Sequence, residues 1–221
     1  MYKRQPFSNT THPYTTYGCS ASAFPPLTSW LSFINLFNMN KPLMFASCTA
    51  FSQPNPSGPE IGAIWDAIQL VAAETGLDHR FILAVVLQES GGCVRAPTTN
   101  YGVRNPGLMQ THDGAATCNS DVTGVVSNPC PDAMITAMVR EGVVGTSQGD
   151  GLAQCVNEAV ETYGAEGAMA YYTAARIYNS GSVGANGCLE SGIATHCYAS
   201  DVANRLLGWT GEGKTCWFDG A

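Results

Sequence analysis

The sequence predicts a mainly α-helical protein with a small irregular or β lobe, stabilised by disulfide bonds. Apolar residues recur at helical spacing in several segments that begin at capping residues and end near glycine. One long stretch, 93–113, has no such period and contains two prolines and two glycines, so we expect an irregular lobe with one short hairpin there. Nine cysteines indicate a disulfide framework.

The chain divides into three predicted segments. Residues 1–28 are rich in Thr, Ser, Pro and Tyr without periodicity, so we expect a disordered N-terminal segment. Because MYKRQ is not followed by the apolar core of a signal peptide, a non-native segment is the alternative. Residues 29–57 are predicted to form an arm with a short helix over 29–38; its apolar stretch is interrupted by Asn, Lys and Pro and cannot span a bilayer. Residues 58–221 form the main domain.

Helical periodicity predicts the elements of the main domain in order. Ile61, Ile64, Ile68 and Val71 share one face of a first helix, which Gly76 ends. The other helices are predicted from the same kind of pattern, and the full set is 60–75, 78–91, 132–141, 151–163, 165–178 and 197–207.

The cysteines predict an oxidising compartment and leave one thiol over. Cys118 and Cys130 bracket a short loop rich in Asn, Asp, Gly and Pro, so we predict a local bridge between them. The other pairings stay open, and an odd count of nine leaves one thiol free or paired outside the chain. The absence of CxxC spacing makes a zinc site improbable, and we expect no metal and no cofactor.

The charge balance excludes one class of partner and disfavours another. The net charge is −7, only 12% of residues are charged, and no basic run follows Lys3-Arg4, so we expect no nucleic-acid binding. No cationic helix face predicts binding to a membrane surface. The negative charge is also an unusual match for bacterial walls, which are themselves anionic.

The most informative stretch is FILAVVLQESGG, which ends an apolar helix on Glu89. Asp78 can cap the start of this helix and Gly91-Gly92 can end it, so Glu89 lies in the last turn. There the negative end of the helix dipole and the apolar neighbours disfavour ionisation. A carboxylic acid that stays protonated near neutral pH can protonate a departing sugar oxygen. A purely structural Glu at a helix end is the alternative.

Three short motifs in order resemble one family. The sequences ES at 89–90, GLMQ at 107–110 and YNSG at 178–181 resemble the lysozyme-like domain of soluble lytic transglycosylases and goose-type lysozymes, glycoside hydrolase family 23. The resemblance covers about 58–210, and the segments QESGGCVRAPTTNYGVRNPGLMQ, GDGLAQC and ATHCYASDVANRLLGW resemble a fungal secreted branch. It implies a lysozyme-like fold and a secreted, extracellular, monomeric glycosidase that cleaves the β-1,4 bonds of peptidoglycan, as a muramidase or a lytic transglycosylase.

The resemblance also implies which residues bind substrate. Gln110 matches the family glutamine beside the acid, whose amide can hold sugar hydroxyl or acetamido groups. Tyr178 matches the family tyrosine that packs near the acid and reaches the reacting sugar. Asn179 is expected to end its helix and to contact sugar secondarily, and Ser90 and Met109 to pack beside the acid.

The region after GLMQ departs from the goose-type pattern. An Asp two places after the glutamine is typical of that branch, but His112 stands there and Asp113 follows it. Asp113 is therefore the candidate base that activates a water, and His112 is a residue expected to line the cleft. If Asp113 has no such role, the substrate's own groups stabilise the positive charge, and 1,6-anhydro products can form.

Several alternatives stay open on the sequence alone. The acidic composition also suits a lysozyme-fold enzyme that acts on chitin-like or other β-1,4 polysaccharides, and a non-catalytic wall-binding effector is a third possibility. Arg95 and Arg104 could meet substrate carboxylates or could form salt bridges inside the irregular lobe. Tyr101 could be a platform on which a sugar ring stacks, whereas Trp65 lies on an apolar helix face and is expected in the core.

Overall fold

The computed structural model describes residues 11–191 and 194–216. Within these ranges the chain is mainly helical, as the sequence predicts, and has one two-stranded sheet. The regular elements are α1 (Phe33–Met44), α2 (Gly58–Thr75), α3 (His79–Ser90), β1 (Thr99–Asn100), β2 (Arg104–Asn105), α4 (Asp132–Val144), α5 (Leu152–Glu161), α6 (Ala168–Ser180) and α7 (Tyr198–Leu206). None of the described helices is long and apolar enough to cross a membrane.

Helix α3 runs through the core and carries the candidate acid at its end. Its apolar residues from Phe81 to Leu87 are all buried, and α1, α2 and α7 pack around it. The Asp78 side chain accepts the Arg80 N–H at 2.9 Å and caps the start, while Gly91 ends the helix at a left-handed φ of 63°. Both predicted helix ends are confirmed, and they fix where Glu89 leaves the core.

The irregular lobe lies between α3 and α4 and contains the short hairpin that the sequence predicts. Strands β1 and β2 are antiparallel, with Thr99 opposite Asn105. The lobe is joined to α2 by Arg95, which is fully buried and forms an ion pair with Glu60. Arg104 forms an ion pair with Asp121 at 2.6 Å inside the lobe. Arg104 thus forms the salt bridge inside the lobe that the sequence left open, whereas the salt bridge of Arg95 joins the lobe to α2.

The N-terminal part of the chain differs from the prediction. Residues 11–28 do not lie loosely: the Tyr14 hydroxyl donates to Asp201 Oδ1 at 2.7 Å, and the Tyr17 N–H donates to Ser200 Oγ at 3.0 Å. Both acceptors are on α7. A segment without periodicity can be ordered in this way because its partners are tertiary contacts that sequence composition does not encode. Residues 1–10 lie outside the described residues.

The first helix also starts and ends later than predicted. The arm forms α1 through Pro42 to Met44 instead of turning into an extended chain after Asn38. Asn40, which interrupts the apolar pattern in the sequence, is buried and donates its side-chain N–H to the Leu36 carbonyl at 2.9 Å. Polar residues therefore interrupt the pattern without ending the helix, because their hydrogen bonds are satisfied within it.

Four disulfide bonds form within the described chain. The predicted Cys118–Cys130 bridge is confirmed, and the odd thiol is Cys155, which is buried on α5. The pairings that the sequence left open are Cys19–Cys188, Cys48–Cys93 and Cys197–Cys216. The last of these joins the start of α7 to the C-terminal segment, so α7 is tied at that end by a covalent bond.

Candidate active site

Glu89 lies at the end of α3, partly exposed to a cavity of about 560 Å³. The rest of this cavity, here called the Glu89 cavity, is lined by short polar groups and two tyrosines. The lining residues besides Glu89 are Thr99, Tyr101, Asn105, Gln110, Tyr178, Asn179, Ala194 and Thr195. An acid placed in this way is shielded by protein on one side and can meet a ligand on the other.

Two residues of α7 contact or influence the Glu89 carboxyl group. The Tyr198 hydroxyl donates a short hydrogen bond to Glu89 Oε1. Arg205, two turns further along the same helix, donates from Nε to Gln88 Oε1 at 2.8 Å, and its positive charge acts on Glu89. One carboxyl oxygen of Glu89 is thus held by Tyr198, which leaves the other to carry and donate a proton.

Burial raises the pKa of Glu89 from the ordinary value of 4.5 to about 7, although the Tyr198 hydrogen bond and the Arg205 charge both act to lower it. The same burial lowers the pKa of Arg205 to about 10, so its guanidinium remains charged at neutral pH. The outcome is an acid that holds its proton up to neutral pH and has two groups ready to stabilise the carboxylate once the proton has left.

A second cavity of about 490 Å³ adjoins the first and shares six lining residues with it. Its own lining includes His112, Gly149, Asp150 and Cys155, and we call it the His112 cavity. The shared residues are Tyr101, Asn105, Gln110, Tyr178, Asn179 and Ala194. Because they share these residues, the two cavities form one cleft, with Glu89 in one part of it and His112 in the other.

Tyr178 lies in the wall between the two cavities, close to the acid. Its hydroxyl donates to the Met109 carbonyl at 2.9 Å, which joins α6 to the GLMQ turn. Burial raises the pKa of Tyr178 well above 10, and the charge of Glu89 raises it further. This tyrosine therefore remains a neutral hydroxyl that shapes the cleft beside Glu89.

Gln110 lines both cavities, but its amide is occupied by the protein. Its Oε1 accepts the Thr99 hydroxyl at 2.8 Å, and its Nε2 donates to the carbonyls of Pro97 and Gly107 at 3.1 and 3.0 Å. The side chain thus holds the hairpin against the GLMQ turn. Its position in the cleft matches the prediction, whereas its hydrogen bonds are those of a residue that builds the wall.

The side-chain amide of Asn179, unlike that of Gln110, is only partly occupied by protein hydrogen bonds. Its Oδ1 accepts a short hydrogen bond from the buried Arg176, while its Nδ2 makes no hydrogen bond within the described residues. Arg176 also donates to the Thr195 carbonyl at 3.1 Å, and Thr195 lines the Glu89 cavity. The buried arginine therefore orients Asn179 and the opposite wall together, and leaves the amide nitrogen of Asn179 available in the cleft.

Ser90 and Met109 do not line either cavity. Ser90 is buried, and its hydroxyl contacts the Leu108 carbonyl at 2.7 Å, which fixes α3 to the GLMQ turn. Met109 is fully buried, and its side chain packs against Gly142 of α4. Both residues therefore pack behind the cleft wall, and any contact of theirs with substrate stays a prediction.

Asp113 and His112 are neighbours in sequence, but only His112 lines the cleft. His112 is exposed and lines the His112 cavity. Asp113 is exposed, has a left-handed φ of 49°, and lines neither cavity; its backbone N–H donates to the Arg104 carbonyl at 2.7 Å. The position of Asp113 outside both cavity linings gives no support to its predicted role as a base.

A wider groove of about 760 Å³ lies elsewhere, between α1, α2 and the start of α3. Asp78 pairs with Arg80 at 2.6 Å, and His79 Nδ1 lies 3.1 Å from Gln69 Oε1, whereas Gln69 Nε2 is buried and has no hydrogen-bond partner among the described residues. Trp65, predicted in the core, packs edge-on against Phe33 beside this groove. The groove contains no acid comparable to Glu89, so we place the candidate active site in the cleft.

Comparison of the chain with protein-family models, with curated proteins and with solved structures found no match. The assignment of the site therefore depends on its geometry and on the three motifs.

The sequence analysis missed Tyr198 and Arg205 as site residues. They lie seven positions apart in a helix and so share a face, and α7 is otherwise buried along most of its length. An arginine on the buried side of a helix requires a negative or polar partner. That signal predicts an acid facing α7, but it does not identify Glu89 as that acid.

Proposed function

We propose that the protein is a glycosidase with a lysozyme-like fold that cleaves β-1,4 bonds in amino-sugar polysaccharides, with Glu89 as general acid. The observation that carries this proposal is the partly buried Glu89 carboxyl group, which has a pKa of about 7 and faces a polar cleft. Four disulfide bonds agree with an extracellular place of action. Peptidoglycan is the substrate that the three motifs imply.

In the proposed reaction the free carboxyl oxygen of Glu89 gives its proton to the glycosidic oxygen as the C–O bond breaks. The sugar that leaves becomes an alcohol, and positive charge develops at the anomeric carbon of the other sugar. The Glu89 carboxylate left behind accepts the Tyr198 hydrogen bond and feels the Arg205 charge. Both interactions are stronger with the carboxylate than with the acid, so they favour proton transfer.

The second half of the reaction lacks an obvious protein base. Glu89 is the only carboxyl group that lines its cavity among the described residues, and Asp113 lies outside the cleft. Enzymes that use a separate base hold it about 6.5–9.5 Å from the acid. We infer that the substrate's own acetamido or 6-hydroxyl group stabilises the positive charge, and that the products include 1,6-anhydro ends when the hydroxyl attacks.

Tyr101 supplies a further element of substrate binding. Its side chain is 94% exposed and lines both cavities, so its ring faces a chain that lies along the cleft. Aromatic rings bury the apolar C–H face of a sugar while leaving the hydroxyl groups in water. We propose that one sugar unit stacks on Tyr101, in agreement with the platform role considered from the sequence.

Chitin-like polymers are the second candidate substrate. They share the β-1,4-linked N-acetylglucosamine unit but lack the carboxylates of peptidoglycan, and the cleft lining contains no lysine or arginine among the described residues. The experiment is a paired assay of wild type and Glu89→Gln on bacterial walls and on chitin oligomers, with Glu161→Gln, an exposed residue of α5, as control.

We expect Glu89→Gln to lose at least about a hundredfold in cleavage rate, since general acid catalysis contributes about 10²–10⁴-fold. Glu161→Gln should match wild type. Cleavage by Glu89→Gln at a rate near that of wild type would refute the proposed acid. Sugar binding without cleavage by either protein would instead favour the wall-binding alternative.

A further inference from the structure

The charged side chains that line the cleft indicate which kind of substrate it can bind. The acidic and basic side chains in the two cavity linings are Glu89, Asp150 and His112. Glu89 holds its proton at acidic pH because burial raises its pKa to about 7. Asp150, which is exposed and lines the His112 cavity, is the other carboxyl group that a bound chain meets.

The cations of the described chain are placed away from this lining. Arg176 and Arg205 are engaged behind the cleft walls, where burial lowers the pKa of both, and Lys41 lies on α1. The others are held in ion pairs, which are Arg80–Asp78, Arg95–Glu60, Arg104–Asp121, Arg140–Glu74 and Lys214–Asp201. No described lysine or arginine is placed to bind the lactyl or peptide carboxylates of peptidoglycan.

The loop that carries Asp150 is built closely against the cleft. The Thr146 hydroxyl donates to the His112 carbonyl at 2.9 Å, and the Thr146 N–H donates to the Gly149 carbonyl at 2.9 Å. A Cβ on Gly149 would lie 2.6 Å from the His112 side chain, so only glycine allows this approach. Asp150 is therefore presented on a loop that is fixed to the cleft wall.

From this arrangement we propose that the cleft takes β-1,4-linked N-acetylglucosamine chains that are partly deacetylated, and that Asp150 binds a free ammonium group of the substrate. The inference rests on the proposed function of the same site. A glucosamine amine is protonated in the acidic range in which Glu89 keeps its proton, so the chain is cationic when the acid is competent. Acetylated units next to the scissile bond still supply the acetamido group.

The test compares three soluble substrates of equal length: fully acetylated oligomers, partly deacetylated oligomers and oligomers that contain muramic acid. Each is assayed for kcat/KM at low and high salt with wild type, Asp150→Asn and the control Asp66→Asn, an exposed residue of α2 outside the cleft. Binding of the same oligomers to Glu89→Gln is measured by calorimetry, so that charge preference is seen without cleavage.

We expect the partly deacetylated oligomers to be preferred, with a preference that weakens as salt screens the charges. Asp150→Asn should lower kcat/KM for these oligomers by about two- to fivefold, as for a solvent-exposed ion pair, and leave the fully acetylated ones unchanged. Asp66→Asn should change neither.

Two results would overturn the inference while the proposed function stands: preference for the muramic-acid oligomers, or an equal effect of Asp150→Asn on all three substrates. The second result would show that Asp150 acts without regard to the charge of the substrate. If wild type cleaves none of the oligomers, the proposed function fails, and the calorimetry then decides the charge preference by itself.

Discussion

Replacing Tyr198 with phenylalanine tests the hydrogen bond that lowers the pKa of the candidate acid, Glu89. The substitution removes one hydroxyl and keeps the ring, which is buried between α7 and α3. A hydrogen bond to a charged group contributes about 1.5–3 kcal/mol and one between neutral groups about 0.5–1.5 kcal/mol. The Tyr198 bond therefore favours the Glu89 carboxylate over the acid by about 1 kcal/mol.

The sign of the effect follows from this difference. Without the hydroxyl the carboxylate loses more than the acid does, so the pKa of Glu89 rises further above its present value of about 7. Since about 1.4 kcal/mol corresponds to one pH unit, the alkaline limb of kcat/KM should move up by about half to one unit. At pH values below the pKa of Glu89 the cleavage rate should fall severalfold, because the Glu89 carboxyl group is no longer held in place through its Oε1 atom.

The assay is the pH dependence of kcat/KM on oligomers, together with direct titration of the Glu89 side-chain carboxyl by carbon-13 NMR in the free protein. Tyr163→Phe is the matched control, since Tyr163 is exposed at the end of α5 and lines neither cavity. An alkaline limb that stays in place, with the NMR titration also unmoved, would show that Tyr198 does not bind the Glu89 carboxyl in solution and would refute the reasoning.

Three further predictions follow from the same contacts. Asp113→Asn should keep activity within about twofold of wild type, as expected for a surface change, and the sugars released from digested walls should be lighter by one water than ordinary reducing sugars. A loss of activity comparable to that of Glu89→Gln would restore Asp113 as the base. Burial raises the pKa of Glu89 and Glu190 to about 7, so the free energy of unfolding should fall as pH rises from about 4.5 to 7. Glu89→Gln should therefore stabilise the protein by about 1–3 kcal/mol at alkaline pH and much less at acidic pH in denaturant titrations; a gain that is equal at both would contradict the burial argument. Reduction should lower the melting temperature strongly, because each disulfide typically contributes about 2–4 kcal/mol, whereas an unchanged melting curve would show that the bridges are not formed.

The parts of the site that could be predicted are those fixed by neighbours in sequence. Asp78 and Gly91 mark the ends of α3 through local hydrogen bonds and backbone conformation, so the place of Glu89 in the last turn could be worked out from the sequence. The Cys118–Cys130 bridge spans only 12 positions and was predictable for the same reason. Local chemistry was sufficient in both cases.

The parts that could not be predicted depend on long-range contacts. Tyr198 meets Glu89 across 109 positions, and Tyr14 meets Asp201 across 187. Neither pairing leaves a periodic signal, because each side chain has an equally reasonable local interpretation as a core or surface residue. Asp113 is a case in which closeness in sequence did not predict the place in the cleft: its neighbour His112 lines the cleft, whereas Asp113, at a left-handed φ of 49°, lines neither cavity.

These long-range contacts meet on α7, which links the ordering of the N-terminal segment to the acid. The face of α7 toward α3 carries Tyr198, which holds Glu89, while the N-terminal segment binds the same helix through Ser200, Asp201 and Asn204. Asp201 also accepts from Gln88, the residue before the acid, at 3.0 Å. Helix α7 thereby holds the Tyr198 hydroxyl at Oε1 of Glu89, and no hydrogen bond within the described residues occupies the other carboxyl oxygen. The N-terminal segment and the Glu89 carboxyl group thus contact the same helix, and while burial raises the pKa of Glu89, Tyr198 and Arg205 of that helix lower it.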